Sequence, residues 1–306
     1  MKNKYLEGLF NKIAGFAQVR QDEALLIVND IYSEGVNTRS EADLFFDLSE
    51  SLREEDQAWN EHFIKVIRDY LLNIESPQGR LCSEECDWLK ARIHIGKNGI
   101  HPAHMDLLLD IMRHAQKAPA DFGLYILESA CELAVNRDYI RHRDIERIRL
   151  ALSLTAHSEN AWIGRDEATI LFNMNDQMRQ KYTFISDTER ASWDTLFTLA
   201  ITNHLVSETS HKAKRAPEAL QRKFWLSEDT DDEGRSFGEA ILDMIGRECL
   251  QDVLSVLESA ASASRTSHSS QTGTPSLQGM TSAELSLINF LKQDKTPVSS
   301  ALTIAA

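Results

Sequence analysis

Trp59-Asn60-Glu61-His62-Phe63-Ile64-Lys65-Val66-Ile67-Arg68-Asp69-Tyr70-Leu71 sets its large apolar side chains at steps of three and four residues. Those steps bring Trp59, Phe63, Val66, Ile67, Tyr70 and Leu71 onto one stripe of an α-helix. A half-buried strand needs apolar residues at every second position, and no convincing stretch of that kind occurs in the chain. The helical period also predicts helices over 21–33, 38–53, 102–117, 120–136, 141–155, 187–209 and 236–259. Only 13 Gly and 6 Pro occur in 306 residues, too few for the many tight turns of a β protein. The expected class is all-α.

Outward from that stripe, the chain repeats itself. Trp59, Phe63, Ile67 and Leu71 match Trp193, Phe197, Ile201 and Leu205. Upstream, Arg39-Ser40-Glu41-Ala42-Asp43-Leu44-Phe45-Phe46-Asp47-Leu48-Ser49-Glu50 matches Arg165-Asp166-Glu167-Ala168-Thr169-Ile170-Leu171-Phe172-Asn173-Met174-Asn175-Asp176. Downstream, Trp88-Leu89 matches Trp225-Leu226, and Leu108-Leu109-Asp110-Ile111-Met112 matches Ile241-Leu242-Asp243-Met244-Ile245. Four matches in one order predict an internal duplication, a stack of helical hairpins in two units. The expected units are 1–119, with a repeat core at 36–117, and 120–259, with a repeat core at 162–246. Tryptophans at duplicated positions (Trp59, Trp88, Trp193, Trp225) read as core residues.

A smaller device recurs between helices: a short loop, an apolar anchor, then a new helix. It stands at Gly35-Val36, Gly79-Arg80-Leu81, Gly99-Ile100, Asp138-Tyr139-Ile140 and Trp162-Ile163-Gly164. Glycine tolerates the positive φ that ends a helix, and the anchor buries against the pair it joins. Ser40 with Glu41, Ser83 with Glu84 and Glu85, and Pro102 after His101 supply helix-start chemistry.

After about residue 260 the composition changes. Ser262, Ser264, Thr266, Ser267, Ser269, Ser270, Thr272, Gly273, Thr274 and Pro275 mark 260–281 as a flexible linker. The tail at 282–306 opens with a short amphipathic helix carrying Leu285, Leu287, Ile288 and Leu291, with Ser282 at its start. Such a helix either folds back onto the core or docks into a groove on a protein partner, with Leu285, Ile288 and Leu291 as the contacts.

Charge narrows the function classes. A net charge of −14 repels phosphate, which argues against nucleic acid and anionic membranes as partners. No run approaches the ~20 apolar residues of a membrane span, and the Met1-Lys2-Asn3-Lys4 start lacks a signal-peptide core. Cys82, Cys86, Cys131 and Cys249 read as reduced thiols, so a cytoplasmic location is expected. No dinucleotide, phosphate-loop, nucleophile-elbow or zinc-protease motif is present, and the expectation is a protein without catalytic function.

Two clusters carry possible metal chemistry. Asp229, Asp231, Glu233 and Gly234 fill positions one, three, five and six of a calcium loop, with Glu239 one residue short of the bidentate position. This loop makes Ca²⁺ or another divalent cation the candidate cofactor. Cys82 and Cys86, one helical turn apart, together with His101 and His104, form a candidate zinc set.

The turns Gly35-Val36 leading into Glu41, and Gly99-Ile100 leading into Asp106, resemble the helical hairpins of TerB-like, tellurite-resistance-associated proteins. The arrangement also resembles uncharacterised bacterial helical proteins with EF-hand-like turns. Either resemblance implies an intracellular, cation-binding accessory or stress-response protein of a bacterium. Apart from that implication, the residues themselves favour an interaction or scaffold module with a protein partner.

Overall fold

The structure is a computed structural model that describes residues 36–51, 57–93, 99–155, 162–181, 184, 186–209 and 281–292. Among these residues the fold is all-α, with no strand and two isolated parallel bridges, Arg80 with Lys117 and Ile140 with Phe184. The chain divides into two compact units, Met1–Asn136 and Arg137–Ala306.

The first unit holds α1 (Arg39–Ser51), α2 (Gln57–Asp69), α3 (Ser83–Ile93), α4 (Pro102–His114) and α5 (Ala120–Val135), with α2 running on into one π turn at Tyr70–Ile74. Of the stripe, Trp59, Phe63, Ile67, Tyr70 and Leu71 are buried, and Val66 is half-buried. They pack α2 against α1 and α4. α5 packs on α4 and falls within the first compact unit. The second unit holds α6 (His142–Thr155), α7 (Arg165–Lys181), α8 (Asp187–Thr209) and α9 (Ser282–Lys292). The helices expected at 21–33 and 236–259 lie outside the described residues.

The units share a packing detail. Phe46 meets Phe63 edge-on at 5.2 Å and 88°, and Phe172 meets Phe197 edge-on at 5.1 Å and 86°. These four residues are the ones the repeat alignment pairs. Trp59 and Trp193, also paired, are buried, whereas Trp88 is half-buried with its Nε1 donating to Asp43 Oδ1 at 3.0 Å. Trp225 lies outside the described residues.

All five apolar anchors (Val36, Leu81, Ile100, Ile140, Ile163) are buried. Four residues after three of them stands a buried carboxylate, Glu85, Asp144 or Glu167. Each reaches back to the free backbone amide at its own helix start. Glu85 accepts from Cys82 N at 2.7 Å, Asp144 from Arg141 N at 3.1 Å and Glu167 from Gly164 N at 2.7 Å. A helix leaves its first amides without intrahelical acceptors, and its N-terminus favours negative charge, so the carboxylate serves both needs. At α1 the device is a full capping box between Thr38 and Glu41, so Thr38, and not Ser40, is the cap. At Ile100 the fourth position holds His104 instead. His101 supplies the cap there, its Nδ1 accepting from Ala103 N at 3.2 Å.

Gly79 makes the Leu81 turn possible. Its φ is +73°, its N–H donates to Leu72 O at 2.7 Å, and its carbonyl accepts from Gln116 N at 2.8 Å. A Cβ added there would lie 3.1 Å from Gln116 Nε2. Gly79→Ala is therefore expected to destabilise the protein by about 1–2 kcal/mol, read as an earlier midpoint in urea unfolding. An unchanged midpoint would contradict this account of the turn.

Candidate interaction site

Helix α8 has one apolar stripe of Trp193, Phe197, Ala200 and Ile201, all buried. Beside that stripe the sequence places two polar groups where water hardly reaches, Asn175 on α7 at 1% exposure and Asp194 on α8 at 9%. A buried amide or carboxylate must find partners or lose the free energy of its hydration. Asn175 Oδ1 accepts from Trp193 Nε1 at 3.3 Å. The other partners come from the tail, because α9 lies along α8 in the largest helix–helix contact of the described elements.

The start of α9 supplies those partners. Asn175 Nδ2 donates to Thr281 Oγ1 at 3.0 Å and to Glu284 Oε1 at 3.5 Å. Ser282 Oγ donates to Asp194 Oδ1 at 2.9 Å. Burial pushes the Asp194 carboxyl above its usual range, while the Ser282 hydrogen bond and the Arg190 charge pull it back. Thr281 and Glu284 form a capping box, with Thr281 N donating to Glu284 Oε2 at 2.9 Å and Glu284 N donating to Thr281 Oγ1 at 3.2 Å. One turn apart, Ala283 and Leu287 carry the apolar contact at 0% and 1% exposure. A fully buried alanine in a close-packed contact tolerates added volume poorly.

Of the tail residues expected to make contact, Leu285 is half-buried, and the side chains of Ile288 and Leu291 lie outside the described ones. Sequence reasoning missed Asn175, Asp194 and Ala283. The usable signal was a hydroxyl pair, a small residue and a Glu before Leu287, a capping box joined to an apolar step of four.

The candidate metal clusters fare differently. Asp229, Asp231, Glu233 and Glu239 lie outside the described residues. Cys82 is half-buried just before α3, and Cys86 is buried, its thiol pushed up to about 12 chiefly by that burial. The His101 and His104 rings lie 5.3 Å apart. Among the described residues no three His, Cys, Asp or Glu side chains gather around one point that could hold an ion. The Cys82, Cys86, His101 and His104 set is therefore not assembled there.

The first unit has a cleft of about 300 Å³ lined by Val36, His62, Lys65, Val66, Asp69, Tyr70, Asn73 and Ile74. Its polar groups are partly engaged elsewhere, Asp69 with Arg68 at 3.1 Å and the Tyr70 hydroxyl with Glu75. That volume sits at the lower limit of small-molecule sites.

No helix among the described residues is long and apolar enough to cross a membrane. No protein-family model matches the chain, and neither curated proteins nor solved structures supply a match.

Proposed function

We propose that this protein is a non-enzymatic interaction module, built from a duplicated helical unit, whose α7/α8 groove accepts an amphipathic helix. One observation carries the reading. A helix from the far end of the chain packs along α8, hydrogen-bonds the buried Asn175 of α7 and Asp194 of α8, and buries Ala283 and Leu287. Helix-in-groove recognition uses this combination of apolar steps of three and four with a few fixed polar contacts. In the resting chain α9 is then an internal occupant that any outside helix must displace. The shared edge-to-face phenylalanine pairs support the duplication.

The test uses the full chain. Leu287→Asp places a charge against the groove and should free it without touching α7 or α8. A fluorescent peptide of residues 279–294 is expected to bind this variant with a micromolar Kd. It should bind the wild-type chain at least about tenfold more weakly, because a tethered competitor acts at a local concentration near millimolar. Equal binding to both chains, or to neither, would dismiss the reading.

A further inference from the structure

We propose that the groove of α7 and α8 is filled in trans by α9 of a second copy of this chain, so that two molecules exchange their tail helices reciprocally. The inference rests on the reading that this groove accepts a helix, and it names the partner.

Three observations lead to it. First, the best-defined occupant of the groove is α9 itself, and every molecule carries both halves of that contact. Second, hydrogen bonds that leave the start of α9 run to Asn175 on α7 and to Asp194 on α8. Transferring α9 to a second copy therefore remakes the same bonds, the same Ala283 seat and the same Leu287 contact. A two-fold exchange of this kind creates no unmatched surface, so it closes at two molecules. Third, the chain entering α9 has little in its sequence to fix which groove is filled. Between Ser262 and Gly279 the one large aliphatic side chain is Leu277, among serines, threonines, Gly273 and Pro275. About 20 such residues can extend to about 65 Å.

A partner of different chemistry is less well matched. Ser282 offers Asp194 a neutral hydroxyl and Glu284 reaches the Asn175 amide, so the seat is satisfied by α9 without a basic side chain. Cis occupancy prevails when the protein is dilute, since the tether holds α9 near its own groove at a local concentration of about millimolar. Exchange takes over when that cis contact is lost or the protein is concentrated.

The experiment removes the cis contact in two complementary ways. Leu287→Asp leaves a sound groove with a spoiled helix. Asp194→Arg leaves a sound helix and sets a cation in the groove, against the positive N-terminus of α9. Each full-length variant alone is expected to sediment as a monomer. Mixed one to one at about 100 µM, they should give a heterodimer of twice the mass, because one good groove and one good helix remain between them. A mixture that stays monomeric overturns the exchange. If the 279–294 peptide nevertheless binds the Leu287→Asp chain, the groove reading stands and only the second-copy occupant falls. If the peptide does not bind either, both fall together. Should Asp194→Arg disturb folding, Asn175→Ala replaces it as the groove variant, since it removes the Thr281 and Glu284 contacts from the far side. A peptide-bound Leu287→Asp chain that no longer pairs with the groove variant would place the peptide and the second copy in one seat.

Discussion

Asp144→Ala is expected to destabilise the second unit by about 3–5 kcal/mol, the usual loss when one member of a buried ion pair is removed. The carboxylate is 1% exposed and serves several groups at once. It accepts from Arg141 N at the start of α6, lies 3.1 Å from Arg147 Nη1 and 3.5 Å from Arg137 Nε. Arg147 is itself 5% exposed. Truncation removes a carboxylate from beside a guanidinium in a poorly solvated place. It also strips the α6 N-terminus of its cap, a loss on the order of 1 kcal/mol by itself. Asp144→Asn keeps an acceptor for the amide but not the charge, so it should fall between wild type and alanine. Urea unfolding with a global probe measures both. A loss below about 1 kcal/mol for alanine would mean that this carboxylate does not organise the turn.

The second large effect is a pH dependence in the first unit. His104 is 1% exposed, its ring lies 5.2 Å from Phe46 and 5.6 Å from Phe63, and neither ring nitrogen has a hydrogen-bond partner among the described residues. Burial holds it down to about 3, and the charges of His101 and Arg92 push the same way. The sign follows. Above the unfolded value of about 6.5 the ring is neutral in both states and stability has no slope from it. Below that value the unfolded chain takes up a proton that the folded chain refuses, so stability falls as pH falls, by about 1.4 kcal/mol per unit. Between pH 6.5 and 4.5 the loss should reach about 2–3 kcal/mol. His104→Leu removes both the slope and the unsatisfied nitrogens, so at pH 7 it should be neutral or stabilising. The check is the difference in unfolding free energy between wild type and His104→Leu at several pH values. A difference that stays constant from pH 7 to 4.5 would contradict the burial of an unprotonated ring.

These two residues also mark how far the sequence can be read. The helices were legible because Trp59, Phe63 and Ile67 obey a period that only a helix makes contiguous. The anchors were legible for a similar reason: a lone Val, Leu or Ile after a loop must be buried somewhere. The partner of each anchor was not read. Glu85 was read as helix-start chemistry, but Asp144 and Glu167 look like ordinary exposed first-turn acids, and only the fold reveals that all three turn inward to cap an amide. His104 was read as a metal candidate by its neighbours in sequence. It occupies the position where the other turns carry an acid, and its surroundings are the rings of Phe46 and Phe63.

The interaction site was half legible. A short amphipathic helix was visible in the 282–306 tail, but its seat depends on Asn175 and Asp194, which are far from it in sequence and unremarkable in it. Local periodicity carries no information about such a pairing. The expected contacts therefore followed the bulkiest residues, Leu285, Ile288 and Leu291, and passed over Ala283, whose value to the contact is its small size.

Amide hydrogen exchange on the wild-type chain and on Leu287→Asp tests the seating of α9 on α7 and α8 most directly. A docked helix shares the stability of what it packs on, whereas an isolated helix of eleven residues frays within the dead time of the experiment. The account predicts slow exchange over 285–292 in wild type. In Leu287→Asp that protection should vanish, with faster exchange also at 193–200 on α8 and no change in α1 to α5. Exchange over 285–292 that is already unprotected in the wild-type chain would contradict it.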